Sequence, residues 1–334
     1  MSFLFPSSTI TFDAALRDVA QGSPKARVAA AHALGDVREP TEKRRAVEAL
    51  LRALLDDRPE VRAEACSSLA DLGDPSVIAQ LVKRLDDGAA GVRQNAAIAL
   101  GTLAHPDGFA PLALALVEGP ADLRYQAATS LAEIDPARSY DPLVAALADR
   151  DPQVVAAAAL SLGAIGDARA KEVLVPKLEH GDPSTRFDVA YALAELGDPA
   201  GKANLAAALG DPERAWDAVT ALGRINGVEP LAQVLTSKRV PPEAVVLAAG
   251  KLLELAPEGP HREAARRVLL AALGVRKVNV RGLAVEQLAV VGGEWARLPL
   301  EKLGRSGKGT ELLEPIATAL RALKTKAEGG DAVR

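Results

Sequence analysis

The feature that most constrains this chain is a repeat. The pattern Leu-x-x-(Leu/Ile/Val), at the end of an alanine-rich stretch, recurs at Leu34, Leu69, Leu100, Leu131, Leu162, Leu193, Leu222, Leu252, Leu288 and Leu320. The successive spacings are 35, 31, 31, 31, 31, 29, 30, 36 and 32 residues. Three residues after each leucine stands Val37, Leu72, Leu103, Ile134, Ile165, Leu196, Ile225, Leu255, Val291 or Leu323. A fixed period in this range marks an array of stacked supersecondary units, each too small to bury its own apolar face.

Each unit reads as two helices. In DPSTRFDVAYALAELGD, residues 182–198, Asp182 is placed to cap a helix and Pro183 sits in its first turn, where the missing N–H costs nothing. Val189, Ala190, Leu193 and Leu196 then recur three and four apart, and Gly197 supplies the freedom to turn left-handed at the end. DDRPEVRAEACSSLADLGD, residues 56–74, is a second clear copy. Asp151-Pro152 and Asp211-Pro212 repeat the same start, with Arg58-Pro59 as a variant. The partner helix is shorter, as in residues 76–85 and 140–149. No alternation of period two supports a sheet. The abundant alanines let paired helices approach closely.

The string DPxVRxxAAxALGxLGD resembles the HEAT-like repeats, in particular the short bacterial kind named after the phycobilisome lyases. The resemblance covers about residues 10 to 325. It implies an all-α fold, a right-handed α-α superhelix of about ten two-helix repeats, with the second helix of each pair lining a concave groove. Residues 1–334 are expected to form a single domain: regular repeats over about 10–226, divergent ones over about 227–325, and a frayed tail at 326–334. The apolar start FLFPSSTI is expected to fold over the first repeat. An arginine recurs at the first turn of the second helix, as Arg27, Arg62, Arg93, Arg124, Arg186 and Arg281, and is missing at Val155, Ala215 and Val245. The resemblance implies a structural role for it, pairing with acids at a neighbouring turn such as Asp74 or Asp198.

Composition excludes several activities. One cysteine, Cys66, removes any intramolecular disulfide and any structural zinc site built on two or more cysteines. The histidines His32, His105, His180 and His261 stand more than 70 residues apart, none with a second His or Cys at metal-binding helical spacing. No His is followed by Glu, which separates the chain from the HEAT-like deoxyhypusine hydroxylases. GRSGKGT at 304–310 lacks the glycine spacing of a phosphate loop. No run reaches the length of a transmembrane helix. The start carries no basic and apolar leader. Cofactors and metals are therefore not expected, and the cytoplasm is the expected compartment. The 27 Arg against 13 Lys and the high alanine content suggest a bacterium with a GC-rich genome.

Counted from the motif arginine as position zero, positions +3, +4, +7 and +10 are expected in the core and +1, +2, +5 and +9 outward. In the first seven repeats the charged outward residues are acidic apart from Arg224, and the formal net charge is −4, so nucleic acid is disfavoured. Residues 261–334 reverse the balance, with 14 Lys and Arg against 8 Asp and Glu, read either as a capping end or as a second contact surface. Four of the ten aromatics fall at outward positions: Tyr125, Phe187, Tyr191 and Trp216. With Asp188, Glu195 and Asp217 they form the candidate protein-binding set: rigid aromatic anchors rimmed by carboxylates. The expected function is a non-catalytic scaffold that binds a protein segment bearing basic and apolar residues, with no nucleic acid, membrane or metal as partner. The alternative implied by the resemblance is a bilin lyase or isomerase, in which Tyr191 and Asp188 would supply acid–base groups. A DNA-repair solenoid fits the acidic outward face less well.

Overall fold

The computed structural model describes residues 10–256 and 258–330. The segment expected to cap the first repeat lies outside the described residues except at its last residue, Ile10, which is exposed. The chain divides into two compact units, residues 1–167 and 168–334. In the first are α1 (Phe12–Gln21), α2 (Pro24–Gly35), α3 (Pro40–Ala53), α4 (Pro59–Leu72), α5 (Ile78–Arg84), α6 (Ala90–Leu103), α7 (Phe109–Glu118), α8 (Ala121–Ile134), α9 (Pro136–Ala146) and α10 (Pro152–Ile165). The second holds α11 (Ala170–Leu174), α12 (Pro183–Glu195), α13 (Lys202–Ala208), α14 (Ala215–Arg224), α15 (Val228–Val234), α16 (Pro242–Leu255), α17 (Pro260–Ala272), α18 (Val278–Val291), α19 (Glu294–Gly304) and α20 (Leu313–Gly330). Short 3-10 turns interrupt some first helices, and no strand occurs among the described residues.

These are ten helix pairs, and every even-numbered helix carries one motif leucine. The all-α fold of two-helix repeats is thus the observed one among the described residues. The nine motif leucines from Leu34 to Leu288 are all at most 1% exposed, the sequence signal made physical as one buried side chain in each of the first nine repeats. The last repeat departs from the register. Leu320 is only partly buried, and Ile316, Ala319 and Leu323 fill the core instead. The tail departs too: α20 continues to Gly330, so helix covers most of the segment expected to fray.

Local chemistry sets the helix ends. Asp151 accepts from the Gln153 N–H at 2.9 Å, and Asp182 from those of Ser184 and Thr185 at 2.8 and 3.2 Å. Each satisfies N–H groups that have no intrahelical partner. Gly73, Gly166 and Gly197 close their helices at positive φ. At the same place in its repeat, Ala104 takes φ 48° without being glycine. Asp211-Pro212 does not open a helix directly. Asp211 accepts from Glu213, a turn follows, and α14 begins at Ala215.

In the first unit, two pairs of consecutive second helices pack on small residues. At Gly35 in α2 a Cβ would lie 2.9 Å from the Cα of Ser68 in α4, and at Gly101 in α6 it would lie 2.9 Å from the Cβ of Ser130 in α8. Those glycines sit at +8 and the serines at +6, two buried positions in neither the expected core set nor the expected outward set. The stack closes there because neither side presents bulk.

Candidate interaction surface

The arginine ladder is structural in the first unit. Arg62 grips Asp87 through Nε and Nη2 at 2.9 and 2.7 Å, and Arg124 grips Asp149 at 2.7 and 2.8 Å. Arg27 reaches Asp56 and Asp57, and Arg93 reaches Asp122. In each case the acid lies at the turn between the two helices of the next repeat, or at the start of the helix after that turn. The remaining nitrogen, Nη1, donates to carbonyls of the arginine's own preceding turn, as from Arg62 to Asp56 and from Arg124 to Gly119. Asp74 and Asp198, the expected partners, instead cap the turns that follow the second helices, accepting from Ser76 and Ala200. One guanidinium thus ties two successive repeats together and satisfies exposed carbonyls of the first. The Arg62 hydrogen bonds hold the Asp87 carboxyl below the usual carboxylate range, and Arg124 does the same for Asp149.

The candidate set divides between the two units. Tyr125 lies on α8 of the first unit and is 41% exposed. Phe187, Asp188, Tyr191 and Glu195 lie on α12, and Trp216 and Asp217 on the adjacent α14, in the second unit. Trp216 is 45% exposed and Asp217 is exposed.

Phe187 contradicts the expected outward phase. It is only 6% exposed and belongs to the hydrophobic core of its unit. The cause is Arg214, in the turn before α14, whose guanidinium lies 5.0 Å over the Phe187 ring and hydrogen-bonds Ser184. Because α14 starts three residues late, Arg214 is free to fold back onto α12. Ala157, also at an outward-expected position, is buried as well.

The carboxylate rim is partly neutralised. Arg224, at the end of α14, pairs with Glu195 at 2.5 Å and donates to the Tyr191 hydroxyl at 3.3 Å. Its guanidinium also sits 5.8 Å over the Tyr191 ring. Phe187 and Tyr191, one turn apart, have ring centroids 6.4 Å apart. The two arginines of the α14 segment therefore hold both rings of α12. In the first unit, outward polar residues also pair across neighbouring second helices: His32 with Glu64 at 2.9 Å, and Ser67 with Asn95 at 3.0 Å. Asp188 differs. It is partly buried, makes no hydrogen bond or ion pair among the described residues, and burial raises its carboxyl above the ordinary value despite the nearby Arg214 charge.

Cys66 is fully buried, and desolvation pushes its thiol up to about 12, so it is held as the protonated, unreactive form. Among the described residues no cluster of three or more His, Cys, Asp or Glu could hold a metal ion, and no helix is long and apolar enough to cross a membrane.

The family model for HEAT repeats matches residues 14–101, 109–178 and 141–223, more than half of the chain. The chain belongs to the HEAT-repeat family. No curated protein matches this HEAT-repeat chain by sequence. Among solved structures, Kap95 in a Kap95:Nup1 complex is 12% identical, with 93% of this chain and 51% of that one covered and a TM-score of 0.60. An importin β structure is 15% identical over 93% and 52% of the two chains, with a TM-score of 0.58. The HEAT-repeat chain thus spans about half the length of either. The complex of CpcE and CpcF of phycocyanin lyase from Nostoc sp. is 22% identical over 80% and 98%, with a TM-score of 0.40. At these identities the two larger proteins share the fold with this chain.

Proposed function

We propose that this HEAT-repeat protein is a non-catalytic binding scaffold, and that the groove-lining face of the second helices α12 and α14 takes a protein segment carrying basic beside apolar residues. The observation that carries this reading is that an exposed indole, Trp216 on α14, and a partly buried carboxylate with no hydrogen bond or ion pair among the described residues, Asp188 on α12, stand on adjoining helices. An apolar side chain laid on the indole removes area from water, and a Lys or Arg of the same segment relieves the unpaired Asp188 charge. Asp217 adds an exposed charge that speeds encounter with a basic partner. Glu195 contributes less than its position suggests, because Arg224 already occupies it. Phe187 acts beneath the surface, supporting Tyr191 without touching the partner. Tyr125 offers a separate exposed aromatic on the first unit. The complex of Kap95 with Nup1 is one example of a related fold holding a protein.

The test is titration with three peptides of equal length, built on Lys and Leu, on Glu and Leu, and on Ser alone. The Lys–Leu peptide should bind, weaken about tenfold or more with Trp216→Ala, and weaken with added salt. Equal binding of all three, or full affinity in the Trp216→Ala and Asp188→Asn variants, would sink the proposal.

A further inference from the structure

In the second unit the ends of four helices close around a cavity of about 240 Å3. Leu253 of α16, Arg262 and Arg266 of α17, the Gly292–Gly293 turn, and Trp295 of α19 line it. The arginines are one helical turn apart, and no carboxylate lines the cavity. The Arg266 guanidinium lies 4.7 Å over the indole of Trp295, which fixes its plane.

Arg266 is distinguished by what it lacks. Its Nε is buried and donates to nothing. The Nε atoms of Arg27, Arg93 and Arg281 share that condition, yet each of those guanidiniums has a carboxylate on another nitrogen: Asp56, Asp122 and Glu311. Among the described residues, neither the Arg266 nor the Arg262 guanidinium donates a hydrogen bond or pairs with a carboxylate. Three acids adjoin lining residues in sequence: Glu254 is paired with Lys251 at 2.7 Å, Glu294 with Arg297 at 3.6 Å, and Glu263, on α17, does not line the cavity. A further donor set lies alongside: the residue that precedes α19, Gly293, has no side chain to cap the first N–H groups of the helix.

We propose that this cavity is an oxyanion site that takes the phosphoryl group of a small molecule. Two guanidiniums that no carboxylate pairs match a dianion, and their planar N–H forks together with free helix N–H groups outnumber the acceptor sites of a carboxylate. The site stands apart from the interaction surface on α12 and α14 and does not rest on that reading. It also gives the basic C-terminal end a specific chemistry instead of a diffuse charge.

Trp295 is a built-in reporter, since a ligand on Arg266 changes the charge held against its ring. In a Trp216→Phe protein it is the remaining tryptophan of the chain. Inorganic phosphate, added at constant ionic strength against chloride, should change its emission saturably, and acetate should not. Arg262→Gln and Arg266→Gln should each weaken phosphate tenfold or more while the far-ultraviolet circular dichroism is unchanged. Because Arg262 is exposed, its variant keeps the test valid if Arg266→Gln perturbs folding. A linear, unsaturating response, an equal response to acetate, or unchanged phosphate affinity in Arg262→Gln would each overturn the proposal.

Discussion

Arg124 and Asp149 form a two-pronged ion pair across successive repeats, 2.7 Å from Nε to Oδ2 and 2.8 Å from Nη2 to Oδ1. Their side chains are 5% and 12% exposed, so little water screens the pair. The third nitrogen holds the Gly119 carbonyl at 2.9 Å. Arg124→Ala leaves a buried carboxylate without its counter-charge and a helix end without its donor. It should destabilise by about 3 kcal/mol or more. Urea unfolding of the two variants Arg124→Ala and Asp149→Asn and of their double mutant measures the coupling. Near-additive losses would mean that the pair is not the connection between these repeats.

The same pair sets an acid response. Hydrogen bonds from Arg124 and Arg62 hold Asp149 and Asp87 below their ordinary carboxylate values. A depressed folded value gives stability that is present above the unfolded carboxyl value, about pH 4, and lost as pH falls through the folded one. Melting temperature should therefore fall steeply below about pH 4. Replacing Arg124 by Met lowers stability at neutral pH but should flatten that acid slope. A parallel pH profile in the variant would contradict the assignment.

Phe187 and Trp216 occupy the same position in successive repeats, and their truncations should separate. Phe187→Ala empties a core site covered by Arg214 and should cost about 3–5 kcal/mol. Trp216→Ala removes an exposed ring and should leave stability within about 0.5 kcal/mol. Denaturant melts of the two variants check this, and equal losses would show that Trp216 is part of the core.

Ala104 ends α6 in the left-handed region, where Gly73 and Gly166 end α4 and α10. A Cβ at that φ meets the backbone, so Ala104→Gly should stabilise by about 0.5–1 kcal/mol, net of the added unfolded-state entropy. A loss of stability would show that the methyl group makes packing contacts worth more than the strain.

Much of the fold was legible from composition and period. A leucine every 31 residues or so can satisfy its burial in only one way, by stacking, and the nine from Leu34 to Leu288 lie in the core. The exception is Leu320: α20 settles on Ile316, Ala319 and Leu323 instead. The candidate surface was less legible. Helical phase alone placed Phe187 outward, and phase cannot see a side chain arriving from another element. The signal available was Arg214 before a repeat whose motif arginine is missing at Ala215, a cation displaced by one residue.

The sequence by itself determined the repeat count, the two-helix unit, the buried leucines and the presence of a structural arginine. These depend on periodicity and residue type along a single helix. Tertiary structure decided which acid each arginine takes, which aromatics stay exposed, and which cations stay unpaired. Those outcomes depend on where neighbouring helices begin and end. Asp87 meets Arg62 across 25 residues, Arg224 meets Tyr191 across 33, and Arg266 meets Trp295 with no carboxylate between them. Each of these is a distance between elements, which no spacing along one helix specifies.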